Sequence, residues 1–234
     1  MSDQRVSVLV PTRNRPGNVR RLIDSAHATS ALPPEFIFYV DDDDPTCAQT
    51  IYIAHAAGAS VITGPRIVLS EMWNRCAEKA SHDVMMHCGD DIVFRSHNWD
   101  HIVTAFFAHH VDKLVLVHGD DGYQRANIAT HGFYHRNWVE TLGYLVPPYF
   151  SSDYNDLWLT EVADELGRRH YVPEVYTEHM HPSAGKGDID QTHQERLARH
   201  ERDDVAGLYV RLLPERRADV AKLRDAIESG RYRA

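Results

Sequence analysis

The first 120 residues alternate between short apolar runs and segments with helical spacing, and few folds tolerate that rhythm. The run VSVLV (Val6 to Val10) is apolar at all but one position, so it reads as a strand buried on both faces. The segment after it, PGNVRRLIDSAHAT, carries Val19, Leu22, Ile23 and Ala26 at the spacing of one helix face. The pairing repeats with FIFYV and CAQTIYIAHAAG, with SVIT and SEMWNRCAEKAS, and with DVMMHC and NWDHIVTAFFAHH, before a further strand in KLVLVHG. Doubly buried strands separated by helices predict an α/β domain with a single open, mostly parallel sheet flanked by helices.

After Gly122 the rhythm gives way to a stretch rich in Tyr, His and Pro, with a helix expected near Asn155 to Arg168. From Asp190 onward the chain is charged and helical, and Pro214 is expected to divide it into two pieces. One α/β domain over residues 1–189 with a C-terminal helical extension over 190–234 follows. Trp73, Trp99, Trp138 and Trp158 fall in helical patterns and are expected in the core, with Trp158 the one that could face a sugar.

In open α/β sheets ligands bind beyond the carboxyl ends of the strands. Here those ends read PTRNR, DDDD, TGPR and HCGDDIVF, which gathers Thr12, Arg13, Arg15, Asp41, Asp42, Arg66, Asp90 and Asp91 on one rim. The GDD step lies between VMMHC and IVF, two runs that favour burial, so its carboxylates need a cation, hydrogen bonds or a proton. Oxygen ligands at a partly hydrated site suit Mg or Mn, and Asp91 is the first ligand candidate.

Other classes are excluded by what the chain lacks. With 25 Lys and Arg against 34 Asp and Glu, the net charge of −9 does not fit a general nucleic-acid binder. Cys47, Cys76 and Cys88 form no CxxC pair and are expected as free thiols in a reducing compartment. No apolar stretch reaches membrane-spanning length and the first is too short for a signal segment, so a cytoplasmic location is expected. An EF-hand beginning at Asp41 would need Gly and Glu where Thr46 and Tyr52 stand, and neither a GxxxxGK[ST] loop nor a GxGxxG turn follows the first strand.

Five motifs in order, VSVLVPTRNRP, YVDDDDPT, GPRIVLSEMWNRCAEKA, MMHCGDDIVF and DYNDLWLTEVADELGR, resemble those of glycosyltransferase family 2, enzymes of the GT-A fold. The resemblance covers roughly residues 5 to 182. It implies a Rossmann-like nucleotide-diphospho-sugar transferase fold, with residues 1–120 as the nucleotide-binding half and 121–189 as the acceptor half. It implies a nucleotide-diphosphate sugar donor, a UDP-sugar first, a divalent metal (Mn or Mg) on the diphosphate, and transfer with inversion.

Carried over, Pro11, Thr12 and Arg13 line the nucleotide with Arg15 and Asp90 nearby, Asp42 or Asp41 accepts a base N–H, and Arg66 faces the diphosphate. Asp43, Asp44 and Pro45 then only make the turn. The family's metal motif usually reads Asp-x-Asp, and Gly89 stands in its first place, which leaves Asp91 as the carried-over ligand. Family members often bring a late histidine to the metal: His181 is the choice, with His179 beside it. Asp156 ahead of a helix matches the family's acidic position for the base, and Asp153 is the alternative. Lys186, in the Gly-flanked loop SAGKGD, is placed to close on phosphate.

Two rival readings stand beside this one: a sugar nucleotidyltransferase, and a non-catalytic nucleotide-sugar-binding protein of the same fold. The acceptor is left open between a glycan and other molecules such as a modified nucleic-acid base, and a homodimer is compatible with the sequence.

Overall fold

The structure, a computed structural model, describes residues 5–233. The predicted alternation is present: β1 (Val6–Thr12), α1 (Pro16–Thr29), β2 (Glu35–Asp41), α2 (Cys47–Ala56), β3 (Ser60–Gly64), α3 (Leu69–Lys79), β4 (Val84–His87), β5 (Ile92–Phe94), α4 (Trp99–Ala108) and β6 (Leu116–Asp120). The second part adds β7 (Gly132–His135), α5 (Arg136–Leu142), α6 (Asn155–Glu165), β8 (Arg169–His179) and a 3₁₀ turn at Pro182–Ala184. Helices α7 (Gln191–Arg202), α8 (Val205–Arg211) and α9 (Leu213–Glu228) follow.

The strands order as β3-β2-β1-β4-β7-β6-β8-β5. Strands β3, β2, β1 and β4 run parallel, β7 is antiparallel to both β4 and β6, and β8 runs parallel to β6 but antiparallel to β5. This mixed, mostly parallel sheet between helical layers is the arrangement that the resemblance implies. Every residue of β1 is buried, which explains its near-continuous apolar sequence.

The strand period of two divides the core. Val8, Val10, Phe36, Phe38 and Met86 pack with residues of α1, α2 and α4, while Leu9, Ile37 and Met85 pack with α3, α5 and α6 on the opposite face. Each fully buried Leu or Val contributes about 1.5–3 kcal/mol by leaving water.

The C-terminal segment belongs to that second core through Val205, Tyr209, Val220, Leu223 and Ala226. It forms three helices where two were expected. Pro214 does open α9, but Asp204 in the left-handed region (φ 44°) adds an earlier break, accepting the Gly207 N–H at 3.2 Å as a cap. Trp158 is fully buried and donates its indole N–H to Asp219 of α9 at 3.1 Å, so it offers no platform to a sugar. Among the described residues no helix is long and apolar enough to cross a membrane.

Candidate active site

The carboxyl ends of β1, β2 and β4 open into a cavity of about 250 Å³. Pro11, Thr12, Arg13, Arg15, Asp41, Asp90, Asp91, Asp153, Asp156, His179 and His181 all line it. Asp42, Arg66 and Lys186 do not, although Arg66 lines an adjoining groove.

The four carboxylates after β2 have separate tasks. Asp41 ends the strand, is 2% exposed, and accepts from Arg13 at 3.0 Å through Oδ2, while Oδ1 has no partner among the described residues. Burial pushes its pKa up against the opposing pull of Arg13. Asp42 faces solvent, with its backbone N–H on the Gly64 carbonyl at 2.7 Å, so of the two base-reading candidates only Asp41 reaches the cavity. Asp43, expected only to make the turn, pairs with Arg13. Asp44 does organise the turn, accepting from Asn14 N–H at 2.8 Å and from Thr46 N–H at 2.7 Å.

At the end of β4, Asp90 accepts from Thr12 Oγ1 at 2.7 Å and from Arg15 at 3.0 Å, so it fixes the tip of β1. Burial raises its pKa and Arg15 opposes the rise. Asp91 instead meets β8. The antiparallel pairing of Ile92 with His179 carries that histidine to the end of β4, and Asp91 Oδ2 lies 3.4 Å from His179 Nε2. Burial works against charge on both groups, yet their mutual attraction holds Asp91 below the usual carboxylate range and, with Asp121, raises His179 to about 9.

The His181 ring centroid lies 5.1 Å from that of His179. Its Nδ1 accepts the Ser183 N–H at 3.1 Å. At Gly89 an added Cβ would come within 2.7 Å of Asp91 Oδ1, so glycine at this position gives Asp91 its room.

The two base candidates differ sharply. Asp153 is taken up by Arg196 and by His200 at 2.8 Å. Asp156, in the first turn of α6, accepts one backbone N–H, that of Leu157 at 2.9 Å, and has no ion pair among the described residues. Burial pushes it up to about 6.

Helix α7 crosses the same rim. Asp190 grips Arg15 with both oxygens, at 2.6 and 2.7 Å, and also caps the helix. Glu195 pairs with Arg66 and lies 3.8 Å from Arg13 Nε, and Thr192 Oγ1 donates to the Arg13 carbonyl at 3.0 Å. Every arginine assigned to the nucleotide therefore meets a carboxylate of α7 or of its N-cap. Lys186 is bound elsewhere, to Glu178 at 2.8 Å and Tyr176 at 3.3 Å.

A model of the family described as glycosyl transferase family 2 matches residues 7–167. The chain belongs to that family. No curated protein matches it at the stringency of a relative. Among solved structures it is similar to the mannosyltransferase PcManGT from Pyrobaculum calidifontis in complex with GDP-Man and Mn²⁺, with a TM-score of 0.65 at 14% identity, over 96% of this chain and 75% of that one. It is also similar to residues 1–349 of S. aureus TarS in complex with UDP, with a TM-score of 0.58 at 15% identity, over 97% and 91%. The complex of the same TarS segment with UDP-GlcNAc gives 0.56 at 14%, over 74% of this chain and 57% of that one.

In this family 2 chain the matched segment stops before β8 and α7, so His179, His181 and the α7 residues that meet the rim lie outside it. Among the described residues no three His, Cys, Asp or Glu side chains gather into a complete metal site. The pair Asp91 and His179, an oxygen and a nitrogen donor facing each other at 3.4 Å, fits two positions of a divalent ion whose remaining ligands are water and substrate phosphate.

The sequence reading missed Asp121, His131, His193, Arg196 and Arg199. Asp121 closes on His179 from the side opposite Asp91, and the other four line the cavity. His131 and the α7 residues sit in segments whose pattern gives no sign of the cavity. Asp121 alone carried a signal, since it follows the buried β6 as Asp41 ends β2.

Proposed function

We propose that this family 2 protein moves a sugar from a nucleotide-diphosphate donor to an acceptor hydroxyl with inversion, Asp156 acting as the general base. The observation that carries the reading is an unpaired carboxylate, raised to about 6 by burial, in the same cavity as Asp91. A base with that affinity is ionised at neutral pH and still accepts a proton readily. Asp156 takes the acceptor's hydroxyl proton as the acceptor oxygen bonds to the sugar carbon, and the bond from that carbon to the diphosphate breaks with its electrons on the leaving oxygen.

Asp91, with His179 or His181, would hold the divalent ion, Mn or Mg, which neutralises charge on the diphosphate when bound. Arg15, Arg13 and Arg66 supply fixed positive charge on the same rim, and the diphosphate takes the place of Asp190 and Glu195 at them. On this reading residues 1–120 are the nucleotide-binding half, Asp156 serves the acceptor from the second half, and the C-terminal extension gives way to the donor at the rim arginines.

Incubation with UDP-, GDP-, CMP- and dTDP-sugars and Mn tests the reading. Release of free nucleoside diphosphate is expected for the UDP- or GDP-sugars. Release of pyrophosphate from a nucleoside triphosphate and a sugar 1-phosphate, with no nucleoside diphosphate formed from the nucleotide sugars, would make the protein a nucleotidyltransferase, and donor binding with neither hydrolysis nor transfer would make it a binding protein.

Base recognition gives a sharper check. A hydrogen bond to a charged group contributes about 1.5–3 kcal/mol, so Asp41→Asn should weaken nucleoside diphosphate binding by about 10- to 100-fold. Asp42→Ala, on the solvent side of the turn, should leave it within about twofold. Calorimetric titration with UDP and GDP reads both, and equal losses in the two variants would return the base-reading role to the run as a whole.

A further inference from the structure

The last residues of β6 are pressed unusually close to β8. A Cβ at Gly119 would stand 2.0 Å from the Val175 carbonyl oxygen, so only glycine permits the approach. At this point the pairing slips: Gly119 faces Val172 while Asp120 already faces Tyr176. The slip brings Asp121 alongside the end of β8, where its carbonyl accepts the His179 N–H at 2.9 Å.

The Asp121 side chain is then fixed by its own loop. Oδ1 accepts the backbone N–H of Tyr123 at 2.9 Å and of Arg125 at 2.8 Å, with Gly122 (φ 70°) and Arg125 (φ 50°) in the left-handed region to allow the tight turn. Among the described residues Oδ2 is left buried without a hydrogen-bond partner, and so is His179 Nδ1. The two face each other at 3.6 Å. The imidazole is thus held between Oδ2 of Asp121 at Nδ1 and Oδ2 of Asp91 at Nε2, with the His131 ring packed edge-on at 4.8 Å between centroids. Asp121 is 4% exposed and His179 7%.

We infer that Asp121 is the positioning residue for His179: it draws the Nδ1 proton to itself and so turns the Nε2 lone pair toward the cation position beside Asp91. The inference rests on the metal reading of Asp91 and His179 given above. Metal-bound histidines commonly give their second ring N–H to a carboxylate, which fixes tautomer and ring angle, and loss of such a partner typically lowers metal affinity about 10- to 100-fold. Neither the Asp-x-Asp position nor the late histidine pair contains this residue, because its place depends on the β6–β8 slip.

Two variants separate positioning from loop support. Asp121→Asn is isosteric and keeps an acceptor for the Tyr123 and Arg125 N–H groups, but presents an amide to Nδ1. Asp121→Glu keeps a carboxylate for Nδ1 but is a methylene too long for the turn. Positioning predicts that Mn²⁺ affinity, read by electron paramagnetic resonance with and without UDP, falls about 10- to 100-fold in the asparagine variant and less in the glutamate variant. The asparagine variant should also add little to the loss already caused by His179→Ala.

Melting temperatures should run the other way, with the glutamate variant the lower. Parent-like Mn²⁺ affinity in Asp121→Asn, or a larger loss in Asp121→Glu than in Asp121→Asn, overturns the inference while leaving the metal reading in place. A parent protein that binds no Mn²⁺ in either condition overturns both.

Discussion

Asp156→Asn is expected to cut sugar transfer by about 10²–10⁴-fold and, at pH 7.5, to make the protein harder to melt. The first effect is the ordinary loss of a positioned general base. Donor affinity should hold, since nothing in the geometry gives Asp156 a task in donor binding, so the loss belongs in kcat. The second effect follows from burial. Asp156 rises from its ordinary value of 3.8 to about 6, so the folded state prefers the protonated acid.

Stability from that preference is present below pH 3.8 and is lost as pH rises through 6. At neutral pH the ionised side chain costs on the order of 1–3 kcal/mol, which the amide escapes. Against this stands a carboxylate at a helix N-terminus, worth about 0.3–1 kcal/mol, so the gain is the larger quantity. The melting difference should be greatest above pH 7 and vanish below about pH 4. In the parent, kcat should fall as pH drops below about 6. Near-normal turnover in Asp156→Asn with a large loss in Asp153→Asn would move the base to Asp153 and require Arg196 and His200 to release it on acceptor binding.

Asp91→Ala should abolish the response of donor binding to Mn and lower transfer by about 10²-fold or more. Of Asp41, Asp90 and Asp91, it is Asp91 that has an oxygen facing His179, whereas Asp90 is consumed by Thr12 and Arg15 and Asp41 by Arg13. A cation on the leaving diphosphate supplies several kcal/mol of charge stabilisation, and about 3 kcal/mol corresponds to about 10²-fold in rate. Calorimetric titration of donor with and without Mn measures the first effect and product release the second. A parent protein whose donor affinity ignores Mn would remove the cation from the scheme and leave the arginines of the rim as the only stabilisers of the diphosphate. Retained Mn dependence in the variant would move the ligand role to another residue.

Period and punctuation determined the main plan of this protein. The apolar runs at β1, β2 and β4 are buried on both faces, and such strands must be covered on both sides, so the parallel half of the sheet and its flanking helices were legible. Because ligand sites sit at strand ends, the rim of Thr12, Arg13, Asp41, Asp90 and Asp91 was legible as well. The tertiary structure alone divided the tasks within that rim. Four adjacent aspartates look alike as letters, but the twist out of β2 turns Asp41 into the cavity, leaves Asp42 in water, gives Asp43 to Arg13 and spends Asp44 on the turn.

The same holds for Asp153 and Asp156. They are separated by less than a helical turn in sequence and by their partners in space, because α7 brings Arg196 and His200 to the first and nothing comparable to the second. Contacts such as Arg15 with Asp190, 175 residues apart, and His179 with Asp121 depend on how α7 and β8 return to the sheet. Local pattern carries no record of such returns, since a surface arginine and a site arginine have the same neighbours in sequence and differ only in what the fold sets opposite them.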